Sequence, residues 1–536
     1  MMYPFVRVPS KGLVGSLLNL PLKPAELSLK WVLSSAELAK ASQTYINGVY
    51  SYYFDFMSPY WVALNSFQRT EKKKLVKHQP QETARDYLEL LHFNMEIARK
   101  GMLSTMRSMN QFHAREMQRR YSAWLNTLFD REGEDIAEHA ERLSHLVKLL
   151  TYEYPKAIRD IEPEFGFHFN DGGYIKAAET DRFILYQVLP WKKCTEVRKG
   201  GKPVLIIPPY VLGASILCFL PGENKSYTHC FANQGIPTYI RIMKDINETP
   251  AVQTMTGEDD CLDMKRFCEV IRERHGKPVT LNGFCQGGFV AALNLLSGEL
   301  DGLVDAFITC VAPIDGTRSK ALVEYLEHIP QRFRDLGYAG KTLPNGNRIV
   351  DGKVMSWVYK LKSMEREAPI FTYYRDLSMF NRPDLENIKI TPTAAALNYW
   401  LIYERNDLPI GITQLSFDSF TKPIASDGTL PVTLFGRPLN FKRLQEKGIK
   451  WLLCYAEEDD LVDREAALAP ADYIDVEVTV FPKGHGAIAT SWSLPTSECA
   501  LHLRFKEGYR GPVRYQLDLD GQPGCLTCEM ENQIPS

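Results

Sequence analysis

The sequence predicts an α/β fold on a mostly parallel sheet, with an inserted cap and a mostly α-helical N-terminal region ahead of it. Three observations predict it. From about residue 200, short apolar runs alternate with helical stretches, the rhythm of βαβ units. A Gly-x-Cys-x-Gly turn joins one such run to a helix of small residues. Across the first 150 residues, apolar side chains recur instead at steps of three and four.

The helical region comes first. From Thr83 to Phe129 there is no proline, and Gly101 is the one weak helix former. Leu88, Leu91, Met95, Ala98, Met102, Met109 and Phe112 form one apolar stripe, and Met117, Tyr121, Trp124 and Leu128 a second. A continuous helix here would span about 70 Å. Asp130 to Glu134 breaks it, and Ile136, Ala140, Leu143, Val147 and Leu150 resume the period. Such stripes fit a helical hairpin packed on the catalytic domain, or a coiled-coil-like arm for self-association, and a homo-oligomer is the expected assembly. Ahead of them, Tyr45, Tyr50, Tyr52, Tyr53, Phe54, Phe56, Tyr60 and Trp61 precede Glu71-Lys72-Lys73-Lys74. That pattern suits either a core or an interface with a polymer granule or membrane surface.

The βαβ rhythm places strands at Val204–Ile207, Thr238–Met243, Val279–Leu281, Ala306–Val311, Lys450–Ala456 and Val476–Phe481, with a helix over Asp260–His275. Residues of about 315–430 lack the rhythm and read as the cap. With 536 residues, two domains are expected, 1–150 and 151–536. A formal net charge of -2 excludes any general basic surface for nucleic acid. Eleven irregularly spaced cysteines argue against a disulfide framework and for a reducing compartment. The start lacks the features of a secretory signal, and no apolar stretch reaches spanning length, so a cytoplasmic location is expected. Cys525 and Cys528 form the one CxxC pair, without a second pair to complete a zinc site, and read as part of an ordinary tail. No metal and no cofactor-binding residues are expected.

The chemistry concentrates at Gly283-Phe284-Cys285-Gln286-Gly287. Strand, tight turn and helix in succession form a nucleophile elbow, with cysteine where serine is usual. The helix N-terminus beside the thiol favours the thiolate. The Gln286 backbone N–H points to the position of an oxyanion, and the loop after the first of these strands, Pro208-Pro209-Tyr210-Val211, supplies a second donor from Val211 or Tyr210, since proline has no N–H. An acid and a histidine follow in the chain order of an α/β-hydrolase fold. Asp459 comes just after the strand ending at Ala456, with Asp460 and Asp463 as neighbouring alternatives, and His485 follows the last strand between Gly484 and Gly486. His92, His113, His139 and His145 lie on expected helices and lack that setting.

These segments resemble the polyhydroxyalkanoate synthase family over residues of about 200–490. Gly283-Phe-Cys-Gln-Gly-Gly288 is similar to that family's cysteine-containing lipase box, Glu458-Asp459-Asp-Leu-Val462 to its aspartate motif, and Gly484-His485 to its histidine. Pro203 to Leu212 resembles its early strand and oxyanion loop, Leu220 to Tyr227 and Asn233 to Ile240 its next helix and strand, and Asn406-Asp-Leu-Pro409 the close of its cap motif. The chain departs from the family in Trp400 to Pro409, one residue longer and with fewer polar positions, and in Asp460, which stands in place of a histidine. After His485 it reads Gly-Ala-Ile in place of Ile-Ala-Gly. The resemblance implies an acyltransferase that polymerises (R)-3-hydroxyacyl-CoA. The polyester would be carried as a thioester on Cys285, with His485 as base and Asp459 as its support, coenzyme A as the substrate's carrier, and granule association. The same residues on the same scaffold also fit a cysteine-dependent hydrolase or thioesterase, or a non-catalytic granule scaffold.

Overall fold

The computed structural model describes residues 24–74, 80–191, 195–320, 323, 340–355, 368–382, 389–494 and 511–519. The chain divides into two compact units: Met1–Trp61, Asn94–Arg159 and Ser363–Thr391 in one; Val62–Phe93, Asp160–Lys362 and Pro392–Ser536 in the other.

Helices dominate the first unit. α1 spans Pro24–Lys74 and α2 Pro80–Phe129, the parts within 62–93 counting with the second unit, and α3 spans Ile136–Lys148. α2 runs unbroken through Gly101, because one weak residue in 50 costs only about 1 kcal/mol. The break at Asp130–Glu134 ends in a capping box. The Asp135 carboxylate accepts from the Ala137 and Glu138 N–H groups, and Glu138 accepts in turn from the Asp135 N–H at 2.9 Å. The aromatic segment divides by helix face. Phe56 is buried and Tyr45 and Tyr52 half-buried, whereas Tyr50, Tyr53, Phe54 and Trp61 are exposed. The inward residues meet the helix Pro369–Phe380, with the Tyr45 and Tyr374 hydroxyls 2.5 Å apart and the Tyr52 ring 4.7 Å from that of Tyr373.

The second unit is built on one eight-stranded sheet. Its strands are β1 Tyr174–Glu179, β2 Phe183–Val188, β3 Val204–Ile207, β4 Thr238–Met243, β5 Val279–Phe284, β6 Val304–Cys310, β7 Lys450–Ala456 and β8 Glu477–Phe481. They lie in the order β1-β2-β4-β3-β5-β6-β7-β8. β1 and β2 are antiparallel to their neighbours, and all the other pairs are parallel. This is the sheet of an α/β-hydrolase fold. β3 and β5 are buried along their whole length, as continuous apolar runs in a doubly covered sheet must be.

α4, Gly257–His275, starts at a Thr256–Asp259 capping box and stops at Gly276, whose φ of +67° suits a residue without a Cβ. α5, Gln286–Ser297, has all 12 residues buried and forms the packed centre behind the elbow. In the expected cap lie α6, Pro392–Tyr403, α7, Ile410–Thr421, and a three-stranded sheet of Gly340–Thr342, Arg348–Val350 and Leu408–Pro409. Differences from the sequence reading are local. β1 and β2 were not expected, β5 continues past Leu281 to Phe284, and β6 starts and ends slightly earlier than read.

Candidate active site

The elbow is a strained corner. Cys285 has φ +51° and ψ −127°, a conformation non-glycine residues seldom adopt and one that costs about 1–3 kcal/mol. Two things impose it. The Cys285 N–H donates to the Cys310 carbonyl at 2.9 Å, which keeps the residue in the sheet, while α5 begins at the very next residue. The surrounding glycines leave the room this turn requires. A Cβ on Gly283 would lie 2.3 Å from the Gly288 Cα, and one on Gly287 would lie 2.3 Å from the Ile207 carbonyl oxygen. Cys285 itself is 8% exposed.

Asp459 and His485 come from the loops after adjacent parallel strands, β7 and β8. The Glu458 N–H donates to the Lys483 carbonyl at 3.1 Å and ties the two loops together. His485 Nδ1 donates to Asp459 Oδ2 at 2.8 Å. The other carboxylate oxygen accepts from the Leu461 and Val462 N–H groups at 2.9 and 3.0 Å. Of the three candidate acids, then, Asp459 meets the histidine, and Asp463 instead accepts from the Lys320 N–H. The Phe284 ring packs edge-on against the imidazole at 5.7 Å.

Burial opposes charge on both members of the pair, but each overcomes it through its partner. The imidazole is held well above its ordinary value of 6.5 by Asp459 and then by Cys285, which act on it by charge and hydrogen bonding. Burial likewise raises Asp459, but His485 and the two backbone N–H groups carry it below its ordinary value of 3.8. His485 Nε2 is buried without a hydrogen bond of normal geometry. Cysteine, histidine and aspartate are thus brought together at one end of the sheet.

The oxyanion loop differs from the simple expectation. The N–H groups of Tyr210 and Val211 both donate to the Gln286 side-chain oxygen, at 3.3 Å each, and the Gln286 amide nitrogen donates to Ser416 on α7 at 2.7 Å. The three consecutive carbonyls from Tyr210 to Leu212 are also engaged. Tyr210 O accepts from Asn406 Nδ2, Val211 O from the Asn406 N–H, and Leu212 O from the Trp400 indole. Sequence reasoning assigned Gln286 only its main-chain N–H and missed the side chain, Ser416, and the backing of Tyr210 by Arg241 and Asp260. Only Asn406 and Trp400 carried a signal, as part of the cap motif.

A second cysteine–histidine approach, Cys218 Sγ to His229 Nδ1 at 3.9 Å, is of another kind. Burial pushes that thiol up to about 11 and that ring down to about 4, so both stay neutral near pH 7. No group of three or more metal-ligating side chains occurs among the described residues, and none of their helices is long and apolar enough to cross a membrane. Cys525 and Cys528 lie outside the described residues.

No family model matches the chain, and no curated protein matches it. Similar solved structures include carboxylesterase CesB of Bacillus subtilis, at 9% identity over 63% of this chain and 93% of that one, with a TM-score of 0.30. The α/β hydrolase GrgF of Penicillium sp. aligns at 14% identity over 58% and 90%, TM-score 0.31. A carboxylesterase of the thaumarchaeon Nitrososphaera gargenis aligns at 13% over 59% and 92%, TM-score 0.29. The fold assignment stands on strand order and elbow rather than on these partial overlays.

Proposed function

We propose that the chain is an acyltransferase in which Cys285 carries the acyl group, with hydroxyacyl-CoA thioesters as substrates and a polyester as product. The observation that supports it best is the strained Cys285 at the end of β5, acting on a histidine that Asp459 holds. A cysteine suits acyl groups supplied and kept as thioesters, because one thiol replaces another at little cost.

In the first step, the Cys285 thiolate attacks the thioester carbonyl carbon. The new C–S bond forms, the bond to coenzyme A breaks, and the departing thiolate takes the proton of the His485 imidazolium. In the second, the hydroxyl of an incoming hydroxyacyl-CoA gives its proton to neutral His485 and attacks the acyl carbon on Cys285. An ester forms, and the Cys285 thiolate leaves. Asp459 keeps Nδ1 protonated and Nε2 free for both transfers. The main-chain N–H of Gln286 and those of Tyr210 and Val211 hold the tetrahedral oxyanion, which takes the place of the Gln286 side-chain oxygen that the latter two hold at rest. If water replaces the incoming hydroxyl, the same groups make a thioesterase.

Incubation with 3-hydroxybutyryl-CoA tests the reading. Release of coenzyme A together with insoluble polymer supports it. Release with free 3-hydroxybutyrate alone makes the chain a hydrolase, and no release from thioesters of several chain lengths contradicts both.

A further inference from the structure

We propose that the Tyr210 side chain is a positioning group for the oxyanion loop, fixed by a buried ion pair that never meets the substrate. This rests on the functional reading above, in which the acyl oxygen replaces the Gln286 side-chain oxygen as acceptor of the Tyr210 and Val211 N–H groups.

Main-chain donors stabilise an oxyanion only when they are already aimed at it, and a four-residue loop with two prolines has no ladder to hold it. The side chain of Tyr210 supplies the anchor. Its hydroxyl donates to Asp260 Oδ1 and accepts from Arg241 Nη2 at 2.9 Å. Arg241 Nη1 lies 2.8 Å from the same Asp260 oxygen, and Asn294 Nδ2 donates to the other oxygen at 2.7 Å. Arg241 and Asp260 are 1% and 0% exposed, and the guanidinium sits over the Phe183 ring at 4.6 Å.

The origin of these partners matters. Arg241 belongs to β4, Asp260 to α4 and Asn294 to α5, the helix that starts at the elbow. One buried knot therefore references the loop to the same scaffold that presents Cys285. Asn406 and Trp400 hold the loop's carbonyls independently of this knot. A tyrosine has only two side-chain torsions, so fixing its hydroxyl fixes its main chain closely. An ordinary buried tyrosine would need one hydrogen-bond partner rather than a two-point clamp on an ion pair.

Two reactions at the same sulfur separate positioning from general stability. Acylation by p-nitrophenyl butyrate passes through an oxyanion, whereas alkylation by iodoacetamide does not. In Tyr210→Phe, acylation is expected to slow by about tenfold to a hundredfold. Alkylation of Cys285 should stay within about twofold of the unchanged protein, because Cys285, His485 and Asp459 are untouched. Should that variant not fold, Asn294→Ala removes a donor from the Asp260 carboxylate of the same knot and is expected to show the same selectivity. Unimpaired acylation in the folded variant, or equal loss of both reactions, overturns the inference alone. A wild-type chain that is alkylated at Cys285 but never acylated overturns the functional reading, and the inference with it.

Discussion

His485 Nδ1 stands 2.8 Å from Asp459 Oδ2, and the carboxylate's other oxygen is fixed by two backbone N–H groups, of Leu461 and Val462. A carboxylate held at both oxygens cannot swing away from the ring. The histidine is thereby locked with its Nδ1 protonated, whatever happens at Nε2.

Replacing Asp459 by Asn should remove that lock while keeping shape and packing. Turnover of an acyl thioester is expected to fall by up to about 10⁴-fold. Asp460→Asn should stay within about threefold of the unchanged protein, as a substitution away from the pair. Equal losses in the two variants would mean that the acid is misassigned.

The same pair sets a pH window for stability. His485 is held above 6.5, so its contribution is complete below about that pH and fades as the pH rises through its raised value. Asp459 is held below 3.8, so its contribution is complete above about that pH and fades as the pH falls through its lowered value. The difference in urea midpoint between wild type and Asp459→Asn should therefore be widest between those two values. In Cys285→Ser the window should close earlier on the alkaline side, because one of the charges that raises His485 is gone. A midpoint difference that does not vary with pH would refute the coupling.

Gly287→Ala should be among the most damaging single-methyl changes in the chain. Its Cβ would lie 2.3 Å from the Ile207 carbonyl oxygen and 2.5 Å from that of Pro208, both main-chain atoms of β3 and its loop. A loss of about 3 kcal/mol or more is expected in chemical unfolding. Gly486→Ala, with open space around its Cβ, should unfold like the unchanged protein.

Gln286→Leu keeps the volume but removes the acceptor shared by the Tyr210 and Val211 N–H groups. Two buried donors are then stranded, and stability should fall by about 1–3 kcal/mol. An unchanged unfolding midpoint would mean that the two groups find another acceptor.

Much of this site was legible along the chain because its parts are short and local. A strand, Gly283, Cys285, Gly287 and a small-residue helix occupy one continuous segment, and Asp459 and His485 each follow a recognisable apolar run. The choice of Asp459 over Asp460 and Asp463 was only weakly marked, since three carboxylates in five residues differ in direction rather than in type. β1 escaped notice because its edge-of-sheet residues are mixed in polarity, and β2, although apolar, because it pairs antiparallel with both neighbours and so lies outside the βαβ rhythm. The clamps on the oxyanion loop were invisible for another reason. Gln286 meets Ser416 across 130 positions and Tyr210 meets Asp260 across 50, and nothing local in either residue names its partner. Asn406 and Trp400 were visible as part of a motif, but their task of holding three consecutive carbonyls was not.

The most direct measurement is mass spectrometry of the chain after brief incubation with 3-hydroxybutyryl-CoA and an acid quench. A hydroxybutyryl adduct that maps to the peptide containing Cys285, is labile to hydroxylamine and is missing in Cys285→Ser is the predicted result. Continued release of coenzyme A by Cys285→Ser at the wild-type rate, or an adduct on another residue, would contradict it.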